Sequence, residues 1–249
     1  MTRAEIVEAL RKALVQIDYV QAFWEGGAGA WNRIDEWSDI DAYLLVDDGK
    51  VQDAFESVEK ALTALSPIRQ KYVVSNNPSQ GFSQAFYRLD NASEFLILDL
   101  GILTSSSSDK YLEPEIHGKS IFHFNKKGLD QTPPVDQESF QKKSVESMEV
   151  MKERFKMFSN FVDKEIKREN SLEALEYYRT IIIPSLVQAL RAKHNPMHYD
   201  FRMRYIHHEP PKGTVTRLEK LSFVIGIDDL EAKNAEATRW FNEMVPSPP

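Results

Sequence analysis

Residues 23–46 read FWEGGAGAWNRIDEWSDIDAYLLV. The stretch holds a glycine-rich turn at Gly26-Gly27, a polar loop, and two aspartates, Asp39 and Asp41, that lead into an apolar run ending at Val46. Such a run reads as a strand, in which residues two apart share a face. Asp39 and Asp41 are therefore expected to point the same way at the strand's start, with Ile40 on the opposite face. Two adjacent carboxylates repel each other unless a cation lies between them. A pair of this kind suits Mg²⁺, which takes oxygen ligands and bridges to phosphates. Glycines just upstream let a backbone come close to those phosphates.

Upstream of this stretch, Thr2 and Glu5 form the T-x-x-E pattern of a capping box, and Ile6, Leu10, Leu14 and Ile17 recur at helical spacing. The pattern predicts a helix over 2–17. A strand over 19–25 follows, ended by the glycines, and a second over 38–46, stopped by Asp47-Asp48-Gly49. Val51, Phe55, Val58, Leu62 and Leu65 mark an amphipathic helix closed by Pro67. Further strands are expected over 68–74, 81–89, 94–103 and 120–124. Asp90-Asn91-Ala92-Ser93 should join the middle two as an antiparallel hairpin, and Ser75-Asn76-Asn77-Pro78 reads as a loop. Residues 1–130 thus read as an α/β domain with a mixed sheet.

The character then changes. Lys126-Lys127-Gly128 opens a charged segment and Pro133-Pro134 stops any helix. From Asp136 onward nearly everything is helical, so residues 131–249 read as an all-α helical bundle. Met148, Met151, Phe155, Phe158, Val162 and Ile166 trace one stripe of a long helix. Asn170 and Glu173 can cap the next helix, which turns Leu172, Leu175, Ile182, Leu186 and Leu190 inward and should kink at Pro184. Two more helices are expected over 212–223 and 229–244, before a frayed Pro246-Ser247-Pro248-Pro249 tail.

The 249 residues are 42% hydrophobic and 28% charged, as in a soluble globular protein. No apolar stretch approaches the ~20 residues of a transmembrane helix, and the N-terminus lacks a signal peptide's apolar core. The absence of cysteine removes disulfides, a thiol nucleophile and Cys-ligated zinc, and fits the cytoplasm. A net charge of −7 argues against tight, sequence-blind binding to nucleic acid and suits a cationic or neutral partner.

A third carboxylate, Asp99, lies within EFLILDLGILT, residues 94–104. A charge in an otherwise apolar strand is costly unless paired or metal-bound. Three aspartates from two strands of one sheet can surround one or two divalent ions, the equipment of two-metal phosphoryl or nucleotidyl transfer. Asp99 can also take the proton of an attacking hydroxyl.

Gly26-Gly27, Asp39-Ile40-Asp41 and Asp99 together resemble the signature of the nucleotidyltransferase superfamily typified by DNA polymerase beta. The order and size of the two halves are similar to those of bacterial antibiotic nucleotidyltransferases, such as streptomycin, other aminoglycoside and lincosamide adenylyltransferases. The resemblance covers residues 20–105 by motif and the rest by architecture. It implies that Asp39, Asp41 and Asp99 bind two Mg²⁺ ions, that Gly26 and Gly27 cradle the β- and γ-phosphates, and that Ser38 orients the turn. It further implies an enzyme that transfers AMP from ATP to a hydroxyl of a small, aminoglycoside-like acceptor, releasing pyrophosphate, with the acceptor bound largely by the helical domain. Antibiotic resistance would be the biological role. Two positions depart from the signature: Glu25 stands where an apolar residue is usual, and the usual serine after the first glycine is missing. The spacing to Asp39 fits Gly27-Ala28 as well as Gly26-Gly27.

Other candidates take plainer readings. Arg33 can reach a phosphate or stand solvated in its loop. Arg69, Lys71 and Arg88 read as surface cations, and Trp31 and Trp37 as packing residues before ring-stacking ones. Glu173 and Glu176 are rivals to Asp99 as base but read first as a solvated helix face. His207-His208-Glu209 point apart and do not read as a metal site. Two alternative functions stay open: the same fold modifying RNA or protein, with Lys142-Lys143, Lys164, Lys167-Arg168, Arg202 and Arg204 as the basic candidates, or a non-catalytic nucleotide-binding protein.

Overall fold

The structure is a computed structural model that describes residues 1–74, 81–129 and 134–245. The expected loop at Ser75-Asn76-Asn77-Pro78, Pro133, the 130/131 boundary and the Pro246-Ser247-Pro248-Pro249 tail lie outside these. The chain divides into two compact units, Met1–Val135 and Asp136–Pro249.

The first unit is a mixed sheet. Its strands are β1 (Val20–Glu25), β2 (Ile40–Val46), β3 (Ile68–Val73), β4 (Phe82–Leu89), β5 (Leu98–Thr104) and β6 (Ile121–Asn125), in the order β3-β4-β5-β2-β1-β6. Every neighbouring pair is antiparallel except β2 and β5, which run parallel. Helices α1 (Arg3–Leu14) and α3 (Val51–Leu65) lie on the sequence segments predicted for them. The capping box at Thr2 and Glu5 forms with both of its hydrogen bonds. Their apolar stripes join Ile40, Ala42, Leu44, Leu98, Leu100 and Ile102 in one core. Each fully buried Leu or Ile among them contributes roughly 1.5–3 kcal/mol. The alternate residues of the same strands, Leu45 and Leu103, pack with Trp24 and Leu112 in a second core on the other face.

One boundary is shorter than expected. The strand predicted over 94–103 begins only at Leu98. Ser93 organises a turn before it: its hydroxyl accepts from Phe95 N at 3.3 Å and its carbonyl from Leu96 N at 3.0 Å. Phe95 is consequently 51% exposed, despite lying in an apolar run. Asp99 is therefore the second residue of β5 and not its middle.

The second unit is helical: α5 (Gln137–Phe158), α6 (Asn160–Lys167), α7 (Ser171–Tyr177), α8 (Ile183–His194), α9 (Lys212–Ser222) and α10 (Ile227–Met244). Short single turns, α2 (Gly27–Ala30) and α4 (Pro114–His117), belong to the first unit. The long helix expected through Ile166 is interrupted at Ser159, so the stripe passes from Phe155 to Val162 and leaves Phe158 38% exposed. The kink expected at Pro184 takes the form of a π-turn over Tyr178–Ile182 just before α8. Proline has no N–H for the carbonyl four residues back, and Arg154 Nη2 donates to that carbonyl, Thr180 O, at 3.3 Å. Asn170 does not cap α7 with its side chain; its amide donates instead to Glu165 at 2.8 Å. Among the described residues, no helix is long and apolar enough to cross a membrane.

Candidate active site

β1 ends at Glu25 and the chain turns at once through Gly26 and Gly27 into the single turn α2. Gly26 N donates to Asp41 O at 2.9 Å, which ties the turn to the start of β2. Gly27 has φ +51°, and a Cβ built on it would fall 1.7 Å from Asp41 Oδ2. A glycine is therefore required twice over, by the left-handed backbone and by the carboxylate lying against it. The turn and the aspartate form one packed unit, and Gly27 is common to both registers that the spacing permits.

The parallel pairing of β2 with β5 sets Asp41 directly opposite Asp99. Both are half-buried on the sheet face away from α1 and α3. Gln84 of β4 donates from Nε2 to Asp99 Oδ1 at 2.7 Å, which orients that carboxylate. Asp39 stands just before β2 and is exposed. Among the described residues, no three His, Cys, Asp or Glu side chains are gathered into a metal-holding group. The fold thus assembles Asp41 with Asp99, while the exposed side chain of Asp39 does not complete a closed triplet.

The loop between α2 and β2 is internally bonded. Ser38 Oγ accepts from Asp35 N at 2.9 Å and donates to Asp35 Oδ1 at 2.8 Å, and Trp37 N donates to the same Oδ1 at 3.0 Å. Ser38 thereby shapes the approach to Asp39. Arg33 N donates to Ala28 O at 2.9 Å, and its guanidinium lies 5.4 Å from the Trp31 ring centre. Trp37 is 60% exposed and meets Phe95 edge-on at 5.0 Å, so both aromatics flank the starts of the two carboxylate-bearing strands.

A cavity of about 660 Å³ lies at the opposite ends of β2 and β5, lined by Asp48, Ser106, Ser107, Ser108, Asp109 and Tyr111 among others. Its acids are already engaged in hydrogen bonds with loop residues. Asp48 accepts from the amide and hydroxyl of Ser106, which hold its carboxyl below the usual range, and Asp109 Oδ1 accepts from Tyr111 N at 2.8 Å. Size alone therefore points away from the carboxylates, and the chemistry points to them.

In the helical unit Glu173 and Glu176 are both exposed on α7. Glu209 of the His207-His208-Glu209 run turns inward and pairs with Arg191 and His198.

Three residues near the carboxylates had no place in the motif. Arg3 of α1 donates to Glu25 and to the main-chain oxygen of Asp39, and His123 Nε2 lies 2.7 Å from Glu25 Oε1. The one signal in the sequence was Glu25 itself, a charge closing an otherwise apolar strand.

No protein-family model matches the chain, and no curated protein matches it by sequence. Among solved structures it is similar to an aminoglycoside 6-adenyltransferase from Bacillus subtilis, at 10% identity and a TM-score of 0.37, covering 100% of this chain and 93% of that one. It is also similar to a spectinomycin adenyltransferase from Enterococcus faecialis, determined with ATP and spectinomycin, at 10% identity and a TM-score of 0.39, covering 98% of each chain. The functional reading of this chain rests on its own residues.

Proposed function

We propose that the chain is a nucleotidyltransferase that passes AMP from ATP to a hydroxyl of a small-molecule acceptor. The observation that carries this reading is Asp41 facing Asp99 across parallel strands, with the left-handed Gly27 packed against the Asp41 carboxylate. The donor set is carboxylate oxygen throughout, which fits a hard divalent cation such as Mg²⁺. Asp41 and Asp99 would hold it, and Asp39 would become a third ligand only on turning inward from its exposed position. When bound, the ion would neutralise charge developing on the reacting phosphoryl oxygens.

The chain's own residues supply the rest. Gly26 and Gly27 carry no side chain of their own and, with Gly26 N–H spent on Asp41 O, the main-chain N–H groups that follow it would hold phosphate without a serine hydroxyl. Gln84 keeps the Asp99 carboxylate oriented, and Asp99 accepts the proton of the attacking hydroxyl. The oxygen–phosphorus bond to the acceptor forms as the α–β phosphoanhydride bond breaks, and pyrophosphate leaves. The helical unit, in this reading, binds the acceptor, and a net charge of −7 favours a cationic one such as an aminoglycoside. Antibiotic modification in the cytoplasm is the corresponding biological role.

The test is label transfer from α-labelled ATP with Mg²⁺ to a panel of aminoglycosides, lincosamides and tRNA, with release of pyrophosphate followed in parallel. Asp41→Asn and Asp99→Asn should each lower transfer by about 10²–10³-fold or more. Transfer that survives both substitutions overturns the site assignment. Transfer to tRNA alone overturns the small-molecule acceptor.

A further inference from the structure

Glu25 is 4% exposed at the end of β1, one residue before the glycine turn. A buried carboxylate is retained only when both oxygens are compensated. Here Oε2 receives Arg3 Nη2 from α1 and Oε1 lies 2.7 Å from His123 Nε2 of β6. The His123 ring in turn packs on Phe23 with centres 4.7 Å apart. Arg3 also spends its second terminal nitrogen, Nη1, on the main-chain oxygen of Asp39.

One guanidinium therefore joins two segments that neighbour each other only through tertiary structure. One is the strand end that launches Gly26 and Gly27. The other is the main chain of Asp39, immediately ahead of Ile40 and Asp41. Two further main-chain bonds complete this frame: Gly26 N to Asp41 O at 2.9 Å, and Ile40 N to Ile97 O at 2.8 Å. A planar guanidinium fork can hold a carboxylate and a carbonyl at fixed relative positions, which a lysine ammonium cannot do.

We propose that Arg3 is a positioning residue for the carboxylate site: through Glu25, itself held by His123, it sets the glycine turn and the Asp39 main chain relative to one another. The proposal rests on the nucleotidyltransferase reading and adds to it a dependence on the N-terminal helix. Arg3 touches no reacting atom in this account. It acts through Glu25 and Asp39, as outer-shell partners act on metal-binding side chains.

The experiment compares the full chain with Arg3→Lys, Arg3→Met and Glu25→Gln variants by two measurements. Amide hydrogen exchange needs no ligand. Arg3→Met should accelerate exchange in peptides covering residues 25–30 and 38–42, while peptides of α10 exchange as in the wild type. Calorimetric titration with Mg·ATP should then show affinity reduced by roughly 10–100-fold in Arg3→Met and Glu25→Gln, with Arg3→Lys intermediate. If Arg3→Met does not fold, the Arg3→Lys and Glu25→Gln proteins carry both comparisons. A lowered melting temperature with unchanged Mg·ATP affinity overturns the positioning role, because a purely structural contact behaves that way. Unchanged exchange in both segments overturns the clamp itself while leaving the nucleotidyltransferase reading intact. A wild-type chain that binds no Mg·ATP overturns the functional reading and the positioning role together, and the exchange data then still report whether the contact exists.

Discussion

Replacing Gly27 by alanine is the sharpest local test of the site. The added Cβ would lie 1.7 Å from Asp41 Oδ2, 2.3 Å from its Cγ and 3.0 Å from its Cβ, so the Asp41 side chain has to leave its position. The backbone adds a separate cost, since φ at Gly27 is +51°. Left-handed backbone costs an alanine about 1–2 kcal/mol, and forcing the aspartate off its rotamer adds about 0.5–1.5 kcal/mol. Together these destabilise the first unit by about 1.5–3.5 kcal/mol, or roughly 6–14 °C in melting temperature for a domain of this size. Gly29→Ala is the matched control. Its Cβ would meet nothing nearer than Ile121 Cδ1 at 3.4 Å, and its backbone is helical. That variant should be neutral or gain up to ~1 kcal/mol from the stiffer unfolded chain. Urea unfolding gives both stabilities, and calorimetry gives Mg·ATP affinity, which Gly27→Ala should reduce at least about tenfold and Gly29→Ala should leave alone. Wild-type stability and affinity in Gly27→Ala would refute the packing of Gly27 on Asp41, and with it the assignment of this turn to the site.

Two predictions concern the helical unit. Arg191 is 1% exposed and donates to Glu209 and to the carbonyls of Arg202 and Arg204; Arg191→Met leaves Glu209 with His198 alone and both carbonyls without this donor, and should cost about 3–5 kcal/mol in urea unfolding. Glu165 is 5% exposed, and the Asn170 side-chain hydrogen bond, ahead of Lys164 and Arg168, holds its carboxyl below the ordinary value of 4.5. A depressed folded-state pKa stabilises the fold above the ordinary value and loses that contribution as pH falls through the lowered one. Glu165→Gln should therefore be less stable than wild type at pH 7, with the gap closing at acid pH, as seen by unfolding series at several pH values; a gap independent of pH would remove Glu165 from the acid response.

Much of the fold was legible because its signals are local. The capping box at Thr2 and Glu5, the 3.6-residue stripe from Val51 to Leu62 and the alternation from Ile40 to Leu44 each depend on residues within one element. Two elements departed from expectation where the backbone found another partner or lost one. Ser93 turned the start of a predicted strand, and at Pro184 the missing N–H was accommodated by a π-turn with Arg154 serving the freed carbonyl.

The candidate site divides along the same line. Gly26, Gly27, Asp39, Asp41 and Asp99 were readable by residue type and spacing, because a glycine turn followed by paired carboxylates has few uses outside phosphate and cation chemistry. Which carboxylates meet was not readable. Asp41 faces Asp99 only because β2 and β5 pair in parallel and in that register, and a shift of one residue would send Asp99 to the opposite face of the sheet. The exposed position of Asp39, the orienting Gln84 and the Arg3–Glu25–His123 bridge have the same origin. Sequence by itself determined the chemical groups and the elements that carry them, since both follow from side-chain type and short-range periodicity. Tertiary structure alone decided which groups are neighbours, since strand order, register and burial arise from contacts between segments far apart in the chain.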